Sequence, residues 1–181
     1  MSRISYIYHK VPRRMIGNVI YPLNHLEQIN KKAYSRAVAK YQGRERLMDF
    51  IIPKLNCLWN DVVHCLPIHP NLIYKAMISS GLNPKSSEWY RIDPSTIEDA
   101  QFLLYSFKTS PYHRVDPDEF QIISIEEYKE IEGVPQKAFD WYRELANKGG
   151  EIRLPFRYVP HLLVKGVVEV SKAEIINVDG H

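Results

Sequence analysis

The sequence predicts an α+β fold, with a mainly antiparallel sheet and several flanking helices built by residues 1–181 as a single domain. Three observations carry this. Helical spacing of apolar residues dominates the front of the chain, and short apolar runs dominate its end. This order of helices then strands favours α+β over a doubly wound parallel sheet. At 181 residues, with 45% hydrophobic and 12% aromatic side chains, there is material for one core, and no low-complexity tract points to disorder.

The elements follow in order. Ser5-Tyr6-Ile7-Tyr8-His9 is aromatic and β-branched and stops before Pro12, as a strand does. Asn24 with Glu27 has the spacing of a capping box, and Leu26, Ile29, Tyr34, Ala37, Val38 and Tyr41 recur at helical intervals until Gly43. Lys31, Lys32, Arg36 and Lys40 fall mainly off that stripe. A short helix over Arg44 to Ile51 follows, before Pro53. Cys57 to Leu66 reads as a buried strand after a turn, closed by Pro67. Pro70 suits the first turn of a helix carrying Leu72, Ile73, Ala76, Met77 and Ile78, with Gly81 at its exit. Trp89-Tyr90-Arg91-Ile92 is strand-like, and Ser95 to Phe107 begins as helix and ends as strand. The acidic stretch 116–133 is expected as a short helix with exposed turns. Pro135 to Asn147 is a helix with Ala138, Phe139, Tyr142 and Leu145 on one face. The apolar segments between Ile152 and Val178 supply two or three strands.

No apolar run approaches the roughly 18 residues that cross a bilayer, so no membrane association is expected. The first twelve residues lack the continuous apolar segment of a signal peptide, and a cytoplasmic location is the simplest expectation. Cys57 and Cys65 lack zinc or redox spacing and suit reduced core thiols. Charge is unevenly spread. Residues 1–54 hold 11 Lys/Arg against 3 Asp/Glu, a net of +8, whereas residues 116–181 hold 8 against 13, a net of −5. The basic third suits a phosphate-bearing ligand or a polyanion.

The common phosphate-loop, dinucleotide-loop, serine-hydrolase and zinc-protease motifs are absent. What remains is three histidines, His9, His64 and His161, that end or interrupt strand-like runs. An imidazole at a strand end can orient a ligand hydroxyl or move a proton, so these are the candidate catalytic residues. None lies at a short metal-ligand spacing, and no metal is expected. Asn56, Asn60 and Asp61 surround Trp59 in an otherwise apolar neighbourhood, which makes Asn60 or Asp61 a candidate for holding a ribose or base edge in a cleft with His64, with Asn60 taken as the binding residue. Arg44 and Arg46 sit where guanidinium groups meet phosphate at a helix start.

These pieces resemble the ADP-ribosyltransferase-like superfamily. Ile7-Tyr8-His9 is similar to the opening strand of those proteins, and Val62-Val63-His64-Cys65-Leu66 to their central strand. His161-Leu162-Leu163-Val164-Lys165-Gly166 is similar to their late strand, except that His161 stands where the family has its catalytic glutamate. The resemblance implies a nucleotide cleft for NAD, with His9 on ribose, Tyr8 or Tyr74 stacked on nicotinamide, and Arg44 or Arg46 on pyrophosphate. Two other classes stay open. One is a nucleic-acid-binding module using residues 31–54 on phosphates with Tyr34, Tyr41 or Trp59 for stacking. The other is a non-catalytic interaction protein whose His and Trp residues fill the core.

Overall fold

The structure is a computed structural model, and it describes residues 5–109 and 115–180. In chain order the first half contains β1 (Ile7–Lys10), β2 (Val19–Ile20), α1 (Leu23–Ile29), α2 (Lys31–Val38), β3 (Ile51–Ile52), β4 (Cys57–Leu58), β5 (Val63–Cys65) and α3 (Pro70–Ser79). The second half contains β6 (Ser87–Ile92), β7 (Gln101–Tyr105), β8 (Phe120–Ile123), α4 (Gln136–Asn147), β9 (His161–Lys165), β10 (Val168–Glu169) and β11 (Glu174–Val178). All paired strands run antiparallel, so the fold is α+β. No helix among the described residues is long and apolar enough to cross a membrane.

Two sheets organise the molecule. One has the order β1-β6-β11 and the other β5-β9-β7-β8. They are joined by Tyr8 and Leu66, whose backbones exchange hydrogen bonds of 2.9 and 2.8 Å, bringing the end of β1 beside β5. The four-stranded sheet is buried on both faces. Val63, Cys65, Leu162 and Val164 pack to one side with Phe102, and Leu103, Tyr105, Leu163 and Phe120 pack to the other. The two helices behind the first sheet form from clear local signals. Pro70 opens α3, where its missing N–H costs nothing, and Gly81 leaves it at φ +92°, a conformation that side chains resist. α4 buries Ala138, Tyr142 and Leu145, the stripe its spacing predicts. Near the end of the chain, a Cβ on Gly180 would stand 1.7 Å from the Pro84 carbonyl oxygen, so only glycine lets these backbones meet.

Several local expectations are corrected. The helix expected from Asn24 to Tyr41 is two helices. Asn30 leaves helical geometry and its side chain caps the Ala33 amide at 3.1 Å, so the chain restarts there. Asn24 lies inside α1, where its amide donates to Asp61 (2.6 Å) in place of a capping box. The helix expected over Arg44 to Ile51 shrinks to one 3₁₀ turn at Glu45–Leu47, because Ile51 and Ile52 pair with Leu58 and Cys57. The run from Cys57 to Leu66 is interrupted by a 3₁₀ turn at Trp59–Asp61. The acidic stretch contains a strand, β8, since Phe120 stacks 4.4 Å from Tyr105 and Ile122 pairs with Leu103. Ile152-Arg153-Leu154 and Tyr158-Val159 form no strand.

Candidate ligand-binding site

Strand register decides where the histidines fall. In the β5–β9 pair His64 lies opposite Leu163, and paired residues share a face, so His161, two positions from Leu163, shares that face diagonally with His64. Their ring centres are 6.2 Å apart and nearly perpendicular. The bridge between Tyr8 and Leu66 brings His9 to the same neighbourhood, and His9 and His64 line one cavity of about 320 Å³. His161 lines an adjoining cavity of about 240 Å³. Lys40 and Tyr41 line both.

Each imidazole is held by a backbone carbonyl. His9 Nδ1 meets the Lys10 oxygen at 2.7 Å, His64 Nε2 the Trp59 oxygen at 2.8 Å, and His161 Nδ1 the Val159 oxygen at 2.8 Å. A carbonyl only accepts, so the nitrogen facing it carries the proton. In the neutral ring the other nitrogen is then a lone-pair acceptor. The rings are neutral at pH 7, because burial pushes His9 and His64 down to about 4 and His161 to about 3. Repulsion from His64 lowers both of its neighbours further. The site thus offers three oriented acceptors and no imidazolium.

Asn60 supplies the complement. It is 1% exposed and lines the His9/His64 cavity. Its Oδ1 accepts from the Tyr41 hydroxyl at 2.8 Å, while its buried Nδ2 has no partner among the described residues. An orphaned buried donor costs about 1–3 kcal/mol, a cost that a ligand acceptor removes. The lining also includes the apolar side chains Met15, Val19, Leu23 and Leu26, and Ile16, which is 70% exposed. Outside it opens a recess of about 780 Å³ lined by His9 and the cations Lys10, Arg13, Arg14, Arg36 and Lys40. Among the described residues no carboxylate lines either cavity or this recess.

The other residues singled out from the sequence fall elsewhere. Arg44 lines the His161 cavity, where its guanidinium donates to the Lys40 carbonyl. Arg46 is exposed and lines neither cavity. Tyr8 faces the opposite side of β1 from His9, donating to Glu130 at 2.8 Å, and Tyr74 is buried with its hydroxyl 2.8 Å from Ser87. Both tyrosines belong to the core, so stacking on a ligand in the histidine cavity is corrected for both. Asp61 caps the Leu58 amide at 2.8 Å and leaves Asn60 alone facing the cavity. Cys65 is buried with its thiol pushed up to about 12, and no group of three His, Cys, Asp or Glu among the described residues is placed to hold a metal.

Sequence reasoning did not single out Phe107, Arg157, Arg13 or Arg14. A signal existed for Arg157: Phe156-Arg157-Tyr158 sets a cation between aromatics just before His161, inside the acidic third of the chain. Comparison with protein-family models, curated proteins and solved structures gives no significant match for this chain.

Proposed function

We propose that the His9/His64 cavity and its basic recess bind a nucleotide, NAD or a close relative, and that the protein is an ADP-ribosyltransferase-like enzyme. The observation that carries the reading is the pairing of neutral imidazole acceptors with the Asn60 Nδ2 donor, orphaned among the described residues, beside a cationic recess that no described carboxylate lines. Ribose hydroxyls donate to His9 Nε2 and His64 Nδ1, Asn60 Nδ2 donates to a carbonyl or ring oxygen, and the pyrophosphate lies among Arg13, Arg14 and Lys40. The apolar wall takes the uncharged face of a base. In the transfer step the bond from ribose C1′ to nicotinamide breaks, nicotinamide leaves as the neutral base with the bonding pair, and an acceptor nucleophile bonds to C1′ while releasing its proton to solvent. With no carboxylate among the described residues lining the cavity, the oxocarbenium-like charge at C1′ meets no counter-charge from them, so binding is expected to outrun turnover.

Calorimetric titration with NAD tests the reading. Saturable heat that is lost in a folded His64→Ala protein supports it, and release of nicotinamide reads the transfer step. Absence of heat up to ~1 mM, the weak end of ligand affinity, removes it. A second reading, binding of a nucleic acid, is favoured by five cations lining one open recess. It predicts a mobility shift whose strength falls steeply as salt rises.

A further inference from the structure

We infer that the His161 cavity is a second ligand site, built for a single planar ring that carries a phosphate or a comparable anion. Its walls are aromatic. Trp59, Tyr41 and Phe107 line it, and the Phe107 ring stands 5.6 Å from His161. Its charges are all positive, from Arg44, Arg157 and Lys40. Arg157 forms no ion pair among the described residues. Its guanidinium carbon sits 4.5 Å from the Trp141 ring and 4.9 Å from the Tyr158 ring, and its buried Nε has no hydrogen-bond partner there.

Stacking of this kind pre-orients the planar fork that binds phosphate bidentately, and an unpartnered buried donor leaves that fork unsatisfied until an anion arrives. His161 Nε2 adds an acceptor for a ring N–H or O–H. The volume, about 240 Å³, falls below the ~300 Å³ at which ordinary ligand pockets begin, so the cavity suits one ring with its substituent and excludes a dinucleotide.

The backbone around this cavity is also held in costly conformations. Phe107 (φ +52°) and Leu154 (φ +51°) line it, and Tyr158 (φ +63°) packs on Arg157, all in the left-handed region that bulky residues avoid. Three such residues around one small cavity indicate a shape that the surrounding fold enforces. If the nucleotide reading holds, this is the pocket of the acceptor, and that clause alone rests on it.

Phenyl phosphate, followed by tryptophan fluorescence, provides the test, since Trp59 lines the cavity and Trp141 lies under Arg157. The expected result is a saturable change for phenyl phosphate, with phenol and inorganic phosphate each weaker by at least about tenfold. Arg157→Met should weaken phenyl phosphate by at least about tenfold, and Arg46→Met, outside the cavity, should leave it unchanged. If Arg157→Met fails to fold, Phe107→Leu serves in its place and should weaken phenyl phosphate while sparing inorganic phosphate. Equal binding by phenol, equal binding by phosphate, no saturable signal, or an Arg157→Met protein that binds normally each overturns the inference. His9→Ala separates the two sites, because it should abolish NAD heat and leave phenyl phosphate untouched. Loss of the NAD reading with phenyl phosphate binding intact, or the converse, shows which of the two has failed.

Discussion

Tyr8 and His9 are adjacent on β1 and face opposite sides of it, and the two sides are finished differently. On the Tyr8 side the polar groups around the phenol find partners within the chain. The phenol donates to Glu130 at 2.8 Å, the Tyr6 amide reaches the same carboxylate at 3.3 Å, and the Tyr128 hydroxyl donates to the Tyr6 carbonyl at 2.9 Å. On the His9 side one ring nitrogen is satisfied by a carbonyl, Asn60 Nδ2 has no partner among the described residues, and the nearby charges are cations, with no described carboxylate lining the cavity. A face completed by its own partners stabilises the fold. A face that leaves buried donors and acceptors open lowers stability and keeps that free energy available for binding.

Acidification has the largest expected effect, and it strikes the open face. The three imidazoles bind protons more weakly in the fold than in the unfolded chain, so the unfolded state takes up more protons as pH falls. Stability should be complete above about pH 6.5 and drain away towards pH 4, where His9 and His64 titrate in the fold, with His161 continuing to about 3. After discounting for partial exposure, the combined loss is on the order of 4 kcal/mol. Urea unfolding at pH 7 and pH 4.5 measures it, and His161→Gln should flatten the dependence. An equally steep dependence in that variant would discard the assignment.

Next comes the closed face. Glu130→Ala removes a charged acceptor from Tyr8 and Tyr6 and should cost about 2 kcal/mol, a fall of about 4–8 °C in Tm, while leaving NAD heat unchanged. Asn60→Ala should do the reverse. Losing the Tyr41 bond is offset by removing the orphaned donor, so stability should move by less than about 1 kcal/mol while NAD affinity drops about tenfold. If Asn60→Ala destabilises as much as Glu130→Ala does, the two faces are not different in kind. The smallest effect is expected from Arg13→Ala or Arg14→Ala. Each is exposed and should weaken NAD by about two- to threefold at low salt, a difference that calorimetry at ~0.5 M salt should no longer detect.

Much of the framework was legible from local pattern. β1, α3, β6 and α4 announce themselves through aromatic and β-branched content, helical spacing, Pro70 and Gly81, because each signal is a property of neighbouring residues. The failures have one cause, competition from partners distant in the chain. Ile51 and Ile52 leave a helix to pair with Cys57 and Leu58, and Phe120 leaves an acidic segment to stack on Tyr105. Asn30 is a different case, since its capping role was readable locally but Asn24, six positions earlier, offered the more familiar spacing. In the site, the nearness of Asn60 or Asp61 to His64 was legible because they lie within four positions of it, and the fold chose Asn60. Tyr8 was misplaced although strand alternation already sets it opposite His9.

Residue types and their near-neighbour spacing settled β1, α3, β6 and α4, that the first third is cationic, and that three imidazoles lie in strand segments. Which imidazoles share a cavity was settled by the register of β5 on β9 and by the Tyr8 to Leu66 bridge, contacts between residues tens to a hundred positions apart. The same packing supplies the burial that holds these rings neutral and leaves Asn60 Nδ2 and Arg157 Nε without hydrogen-bond partners among the described residues. Desolvation depends on everything that surrounds a group, and no stretch of sequence contains that information alone.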